Sequence, residues 1–448
     1  MASAANAANH GGTEKRRNGG NQPLPKNSSG CDHFLKGTCR SHPGHVHNSP
    51  LTSVTRGQRL TDFFGLKRNI VAVAGAMFLM GLGEELWKRF LPKYLAVLGA
   101  PVLAIGLYGT IRDLLDGLYQ YPGGWITDRY GARRALSLFV ALAGAGYAIY
   151  LIAPTWHFIF VGVFFVMAWS SMASPTLFAV VGESLPRGRR AMGFTVQAIV
   201  RRLPIVIAPT LGGVAIEAFG VRDGMRVGLA ITLALTVLTL AIASSVGVPE
   251  QTALDATRIR GVWHSLPPTF RRLLLSDVFI RTCEGLVDVF IVLYVTNILG
   301  ISTAQFGILV GVQTVTSIAV YIPAAHIADS IGRKPFVIAT FLAFSMFPIA
   351  VVSAHTLPQL VGAFIVGGLR EIGEPSRKAL IVDLAQPHLR ARSVGLYYFI
   401  RSCAIAPAGF IGGLLWRVSP AIPFYVAGVA GLVGTSIFAA TVAKEHAG

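Results

Sequence analysis

Long apolar runs recur along the chain between residues 69 and 443. Each run is long enough to cross the hydrocarbon of a bilayer as a helix, which takes roughly 20 residues. The runs predict twelve transmembrane helices, spans 1 to 12, at approximately residues 70–98, 102–124, 135–154, 157–183, 192–218, 225–248, 273–299, 303–327, 335–354, 357–384, 393–417 and 421–443. Glycine and proline inside the runs are typical of membrane helices, because neighbouring helices satisfy the freed backbone groups. The pattern therefore predicts an all-α integral membrane protein.

Polar residues dominate the segment that precedes the first run. Gly, Asn, Ser, His and Pro are frequent there and no apolar period is sustained, a composition typical of disorder. The segment lacks the apolar core of a signal peptide, so the first hydrophobic run is interpreted as a membrane helix rather than a cleaved leader. The predicted domains are a disordered cytoplasmic tail at 1–66, a six-helix bundle at 67–248, a central cytoplasmic loop at 249–272, a second six-helix bundle at 273–443 and a cytoplasmic C-terminus at 444–448.

Charged residues make up only 13% of the 448-residue chain, against roughly 25% in an average soluble protein. With 53% hydrophobic residues and a mean hydropathy of +0.57, this composition disfavours a soluble globular enzyme. The charges are mostly basic, with 39 Lys and Arg against 21 Asp and Glu. In a soluble chain such an excess suggests a nucleic-acid partner, whereas in a membrane chain it is expected from basic cytoplasmic loops.

The basic residues follow the membrane pattern. If the tail is cytoplasmic, the inside loops carry Arg129, Arg133, Arg134, Arg187, Arg189, Arg190, Arg258, Arg260, Arg271, Arg272, Arg333, Lys334, Arg390 and Arg392. The outside loops carry Arg222, Arg226 and Arg417. This bias predicts a multi-pass cell-membrane protein with both termini in the cytoplasm, in the inner membrane if the source is bacterial. It also explains the basic charge without any nucleic acid.

The two halves of the chain repeat at an offset of about 200 residues. The matching positions are Glu84, Leu86, Phe90 and Tyr94 with Glu284, Leu286, Phe290 and Tyr294; Pro122, Asp128 and Gly131 with Pro323, Asp329 and Gly332; and Pro175, Glu183, Arg201, Gly212 and Gly213 with Pro375, Asp383, Arg401, Gly412 and Gly413. Their shared order indicates a duplicated unit of six helices. Two parallel bundles related by an axis along the membrane normal place a substrate path between the halves.

Two loops carry a related motif of glycine, aspartate and basic residues. The first comprises Gly124, Asp128, Arg129, Gly131, Arg133 and Arg134, and the second comprises Asp329, Gly332, Arg333 and Lys334. Both resemble the cytoplasmic G-x-x-x-D-R-x-G-R-R signature of the major facilitator superfamily, and the resemblance extends over residues 69–443. It implies a secondary transporter that works by alternating access, with the loop as a cytoplasmic latch. Ala325 and Ser330 weaken the second copy, so the first is the expected main latch; the alternative is a role in topology alone.

A second resemblance lies in span 5. Ala208 to Gly213 is similar to the G-P-x-x-G-G segment of superfamily antiporters, with Pro209, Gly212 and Gly213 in the matching places. The resemblance favours efflux, and the alternative is that small residues there serve helix packing. The arginine that exporters of the superfamily carry in span 4 has no equivalent between residues 161 and 181. A comparable group of charges stands in span 10 instead, from Arg370 to Glu374.

Charges within the predicted spans are the candidate substrate and proton site, because a charge in hydrocarbon is costly enough to indicate function. The predicted pathway residues are Glu84, Glu85, Lys88, Arg89, Arg112, Asp113, Asp116, Glu284, Asp288, Arg370, Glu371 and Glu374. The family resemblance implies that spans 1, 4, 7 and 10 line the central cavity. Glu284 and Asp288 lie four residues apart, and two close carboxylates do not easily both ionise, which suits a proton carrier. The alternative is a set of fixed structural ion pairs.

Cysteine and histidine cluster in the tail. Cys31, His33, Cys39, His42, His45 and His47 are candidate ligands for zinc or copper. Their spacing matches no known finger, so no metal site and no cofactor is predicted.

The chain contains no P-loop and no hydrolase motif, so no enzymatic activity is expected. The predicted function is transport of a small charged or zwitterionic solute, proton-coupled and directed to efflux. The alternatives are an organic-anion or metabolite importer and a membrane-embedded sensor with a metal-binding tail. The expected partners are the lipid bilayer, a small-molecule substrate and protons, and the chain is expected to be monomeric.

Overall fold

The computed structural model describes residues 68–173, 176–177, 190–244, 267–384 and 390–442. The predicted tail, most of the central loop and the C-terminal residues lie outside these ranges, and so do the candidate metal ligands of the tail. The described residues form helices and no strands. The prediction of an all-α protein is confirmed.

The first half contains six named helices. They are α1 (Arg68–Trp87), α2 (Leu91–Val97), α3 (Val102–Tyr130), α4 (Ala132–Ile152), α5 (Trp156–Met167) and α6 (Arg190–Ala243). A 3-10 turn, Lys88–Phe90, joins α1 to α2, and α5 continues as a π-helical turn, Ala168–Met172. α6 carries the predicted spans 5 and 6. It breaks at Gly220, where a φ of 80° reverses the chain at a position that suits only glycine.

The second half contains eight named helices. They are α7 (Pro268–Leu293), α8 (Thr303–Ile331), α9 (Lys334–Ser353), α10 (Leu357–Leu369), α11 (Glu374–Leu384), α12 (Arg390–Ile405), α13 (Ala408–Val418) and α14 (Ile422–Ile437). π-helical turns, Tyr294–Ile298 and Phe438–Val442, extend α7 and α14. Span 10 is divided between α10 and α11, and span 11 is divided between α12 and α13 near Pro407, whose ring cannot continue the helix.

Within the described residues, every predicted span overlaps a helix. Six stretches are long and apolar enough to cross a membrane by length and composition alone: Ala132–Ile152, Val200–Ala243, Thr303–Ala328, Lys334–Ser353, Ser393–Val418 and Ile422–Ala440. The other predicted spans carry several charges, are interrupted by a tighter or wider turn, or run into undescribed residues. The count of twelve stays a prediction.

The halves meet along two pairs of helices that the sequence repeat relates to each other. α3 packs on α13, and α8 packs on the first part of α6. A β-carbon on Gly106 would overlap the carbonyl oxygen of Gly409, and one on Gly213 would overlap that of Thr303. Gly413 lies against Leu103 in the corresponding place. The repeat in the sequence therefore appears as two equivalent contacts between the halves.

Candidate functional site

A cavity of about 340 Å³ lies between the two halves. α1, α3, α5 and α6 line it from the first half, and α7, α8, α9 and α10 line it from the second half. A second cavity of about 270 Å³ adjoins it and is lined by the first half alone. Ten predicted pathway residues line the first cavity: Glu84, Glu85, Lys88, Arg89, Arg112, Asp113, Asp116, Glu284, Asp288 and Arg370. Glu371 and Glu374 are not among its lining residues.

The acidic pair of α1 is buried and held by different partners. The hydroxyl of Tyr147 donates to Glu84 Oε1 over 2.7 Å, while Lys88 Nζ lies 3.8 Å from Glu84 Oε2, beyond hydrogen-bonding distance. Arg89 Nε donates to Glu85 Oε2 over 3.2 Å. Both ion pairs follow from spacing, because residues four apart on a helix lie on one face. Glu84 is therefore the acid with the weaker contact to a cation.

Two ion pairs connect the halves. Arg112 Nη2 on α3 donates to Asp288 Oδ2 on α7 over 2.7 Å, and it also bonds the adjacent Asp113 over 2.9 Å. Arg202 Nη2 on α6 donates to Glu371 Oε2 over 2.8 Å, and its guanidinium lies 4.9 Å from the centre of the Tyr321 ring. These charges neutralise one another across the interface, and they must separate if the halves move apart.

Arginine side chains surround Glu284. Arg281 Nη1 donates to Glu284 Oε2 over 2.9 Å, and Arg370 Nη1 donates to Glu284 Oε1 over 3.3 Å. Arg281 also reaches Glu374 Oε2 over 3.3 Å. Asp288 has its own arginine across the interface. The expectation that Glu284 and Asp288 act as one carboxylate pair is therefore not supported by their contacts, because each is bound to separate cations.

Glu374 belongs to a buried network that extends away from the cavity. Arg377 donates to both oxygens of Glu374 over 2.7 and 2.9 Å, and its Nη1 donates to Asp277 Oδ2 over 2.6 Å. Tyr397 donates to the same oxygen over 2.9 Å, and Arg401 Nη1 lies 3.5 Å from it. Asp277 is fully buried, and Arg377 is 1% exposed. Glu374 is thus part of an internal ion-pair network rather than of the cavity wall.

The sequence interpretation missed Asp277 and Arg377. A signal was present, because Asp277, Arg281, Glu284 and Asp288 stand at spacings of four, three and four on one helix. Such spacing places all four on one face of α7. A search for charges at helical spacing, rather than for charges near the middle of a span, would have found Asp277.

The first loop motif lies at the joint of α3 and α4. Gly131 has a φ of 79°, a conformation that glycine adopts at low cost. Asp128 is exposed and has no hydrogen-bond or ion-pair partner in the part of the chain that the structure describes. A β-carbon on Gly124 would meet no atom within 4 Å, whereas one on Gly123 would overlap the backbone of Met172. Close helix approach therefore depends on Gly123 rather than on Gly124 of the motif.

Among the described residues, the second loop motif makes an ion pair that the first does not. Arg333 forms an ion pair with Asp383 at the end of α11, and both side chains are exposed. Gly332 has a φ of 99° and reverses the chain between α8 and α9. The side chain of Asp329 lies outside the described set, and Arg133 and Arg134 are exposed. The second copy thus makes this ion pair, whereas the first was the expected main latch; Glu183, which the repeat relates to Asp383, lies outside the described residues.

The antiporter-like segment lies at the crossing of three helices. Gly212 packs against the backbone of Leu86 on α1, and Gly213 packs against Thr303 on α8. Pro209 is buried, and its carbonyl lies where a β-carbon on Gly307 would be. These small residues bring α6 close to both neighbours, which is the packing role weighed for them above.

Metal ligation has no support in the described part of the chain. No group of three or more His, Cys, Asp or Glu residues there is placed to hold an ion.

A family model described as the Major Facilitator Superfamily matches residues 73–283 and again residues 273–447. The two matches cover both halves of the fold. The chain belongs to the major facilitator superfamily. Superfamily membership and the apolar helices together imply a multi-pass membrane protein of the transporter class.

Individual superfamily members resemble the chain over most of its length. It is 20% identical over 377 residues to an uncharacterized MFS-type transporter of Methanocaldococcus jannaschii, covering 82% of this chain and 93% of that protein. It is 23% identical over 330 residues to the multidrug resistance protein MdtG of Serratia proteamaculans, covering 70% and 79%. A crystal structure of a POT family transporter in complex with 5-aminolevulinic acid superposes with a TM-score of 0.70 at 15% identity, covering 85% and 97%. That structural likeness confirms the fold.

Proposed function

We propose that the chain is a secondary active transporter that carries a small charged or zwitterionic solute by alternating access, coupled to protons and directed to efflux. One observation carries the proposal: charged side chains of both signs, from both halves, line the 340 Å³ cavity between them. Polar cavities at the interface of two repeats are where transporters of this architecture bind their substrates. Charges in a membrane interior are costly, so charges that line a cavity there indicate a functional site.

Alternating access requires one end of the cavity to close while the other opens. Contacts of Gly106 with Gly409 and of Gly213 with Thr303 support closure at one end. At the same end Lys93 Nζ donates to Thr296 Oγ1 over 2.9 Å, from one half to the other. In the predicted orientation this end faces outwards. The conformation then corresponds to a transporter closed to the outside.

The ion pairs between the halves are the proposed switch. Arg112 with Asp288 and Arg202 with Glu371 stabilise the present arrangement of the halves. A substrate or a proton that neutralises one carboxylate weakens its pair and lowers the cost of rearrangement. Differential stabilisation of two states in this way is what any coupled transporter needs.

Glu84 is the proposed proton carrier. It is buried, it lines both cavities, and its contacts are a hydroxyl at 2.7 Å and an ammonium at 3.8 Å. Protonation of Glu84 breaks one ion pair, at 3.8 Å, whereas protonation of Glu284 breaks its ion pairs with two arginines. The geometry therefore favours Glu84 over Glu284 and Asp288.

Further observations support the direction of transport and the substrate class. The antiporter-like segment of α6 and the similarity to a multidrug resistance protein favour efflux. The 5-aminolevulinic acid bound to the structural neighbour is a zwitterion, and a cavity with both signs of charge suits that class.

Reconstitution into proteoliposomes tests the proposal. Wild-type protein is expected to move protons, read by an internal pH dye, when a transported amino acid or organic anion is added, and Glu84→Gln is expected to lose this coupling. Asp223→Asn is the matched control, because this acid is exposed and its described ion pair is with Arg226 of the same half. Folded wild-type protein that moves no solute from a broad metabolite panel, with or without a pH gradient, contradicts the proposal. Vesicles of both orientations separate efflux from the alternative of import.

A further inference from the structure

The sequence repeat relates a buried cluster in the second half to an incomplete one in the first. Arg401 and Arg377 converge on Asp277 in the second half. At the offset of 200 residues, the first half has Arg201, Leu177 and Met77 in the same places. Of the three charged residues, only the arginine of span 5 is retained.

Arg201 lacks the partner that its counterpart has. Arg401 contacts Asp277, whereas Arg201 is exposed and has no ion pair or hydrogen bond among the described residues. Its neighbour Arg202 points to the other half and binds Glu371. A guanidinium that faces an open cavity can offer its N–H donors to a bound anion. Arg201 has that exposure, and its donors are unpaired among the described residues.

The space around Arg201 is open. Arg201 lines the central cavity and also the adjoining cavity of about 270 Å³. Met77 and Leu177, which replace the acid and the arginine of the other half, line the adjoining cavity, and so do Trp169 and Ile205. The charged cluster of the second half is thus replaced by a pocket whose wall is apolar at Met77 and Leu177, and Arg201 has no ion-pair partner there among the described residues.

The other charges of this pocket are already engaged. Glu84 accepts from Tyr147 and lies near Lys88, and Glu85 is bound to Arg89. Neither acid forms an ion pair with Arg201 among the described residues. A guanidinium binds carboxylates and phosphates through paired N–H donors, with more geometric specificity than an ammonium.

We propose that Arg201 and the pocket lined by Met77, Leu177, Trp169 and Ile205 form an anion subsite, which binds the carboxylate, sulfonate or phosphate group of a solute with a small apolar body. The subsite names a substrate class for the transport proposed above and rests on that proposal. Binding is nevertheless measurable without transport. Failure to transport and failure to bind are therefore distinguishable.

Thermal stabilisation of the purified full chain in neutral detergent tests the subsite. The probes are benzoate, benzenesulfonate and phenyl phosphate, with neutral benzamide as the matched control. A ligand that binds the folded state raises its apparent stability. At least one anion is expected to stabilise wild-type protein while benzamide does not. Arg201→Gln is expected to lower the affinity for that anion by at least about tenfold, because the variant loses a charge-assisted contact.

Met77→Asp is the sharper variant because it restores the acid of the other half and leaves Arg201 in place. It is expected to abolish anion stabilisation, whereas Met77→Leu retains it. Arg222→Gln, an exposed arginine whose described contact is a backbone carbonyl, controls for net charge.

Three results overturn the proposal: stabilisation of wild-type protein by none of the anions, an anion affinity in Arg201→Gln and Met77→Asp that equals that of wild type, or equal stabilisation of wild-type protein by benzamide. Competition by lysophosphatidylglycerol separates the two sources of an anion. Displacement of the probe at micromolar lipid assigns the pocket to a lipid headgroup and overturns the solute assignment, whereas persistence of the probe supports it.

Discussion

Replacement of Arg377 by Gln tests whether the buried network of the second half is structural. Arg377 makes three hydrogen bonds to carboxylates, at 2.6, 2.7 and 2.9 Å, and each such bond contributes about 1.5–3 kcal/mol net. Asp277 keeps Tyr397 and Arg401, so part of the loss is compensated. We expect Arg377→Gln to lower the free energy of unfolding by about 3–5 kcal/mol, as for a buried pair that loses one partner.

Asp277→Asn should cost less, because Arg377 retains both bonds to Glu374. We expect a loss of about 1–3 kcal/mol from this variant. The assay is reversible unfolding in mixed micelles, followed by circular dichroism, with Arg222→Gln as an exposed control expected within about 0.5 kcal/mol of wild type. A cost for Arg377→Gln below about 1 kcal/mol, or a larger cost for Asp277→Asn than for Arg377→Gln, refutes the reasoning.

Three further variants address the interface and the loops. Gly213→Leu inserts a side chain where the Thr303 carbonyl lies, so it should shift cysteine cross-linking between α6 and α8 towards the separated state, and unchanged cross-linking counts against the packing role. Arg333→Ala removes an exposed ion pair with Asp383 and should cost under about 1 kcal/mol of stability, while uptake assays show a larger defect only if the pair is a latch. Gly131→Ala forces a positive φ on alanine and should lower stability by about 1–2 kcal/mol in the same unfolding assay; a neutral effect contradicts the conformation.

The fold follows from the sequence because its signals are local and repeated. Apolar runs of membrane length predict where helices lie. Gly220, which has a positive φ, lies between predicted spans 5 and 6. The repeat at 200 residues predicts two similar halves, and the contacts of Gly213 with Thr303 and of Gly413 with Leu103 are the spatial form of that repeat.

The site follows only in part, because pairing depends on side-chain direction. The sequence predicted twelve pathway charges in the spans, and ten of them line one cavity, but it did not predict Asp277 and Arg377. It did not predict that Arg281 contacts both Glu284 and Glu374, since two helices must be placed before their side chains can be matched. Arg201 and Arg202 are adjacent in sequence and chemically identical. They differ only in the direction in which each points from the helix: Arg202 forms the ion pair with Glu371 of the other half, and Arg201 lines the cavities.

The central claim is that the two halves alternate access to the cavity between them. Distances between spin labels at both ends of the helices, measured by pulsed electron paramagnetic resonance, test it most directly. Exposed sites for spin labels are Val97 with Ile298 at one end and Tyr130 with Ile331 at the loop-motif end, in a chain whose native cysteines are replaced. The account predicts two distance populations for each pair, with the first pair widening as the second narrows when the pH is changed. A single unchanging distance at both ends, or simultaneous widening of both, would contradict it.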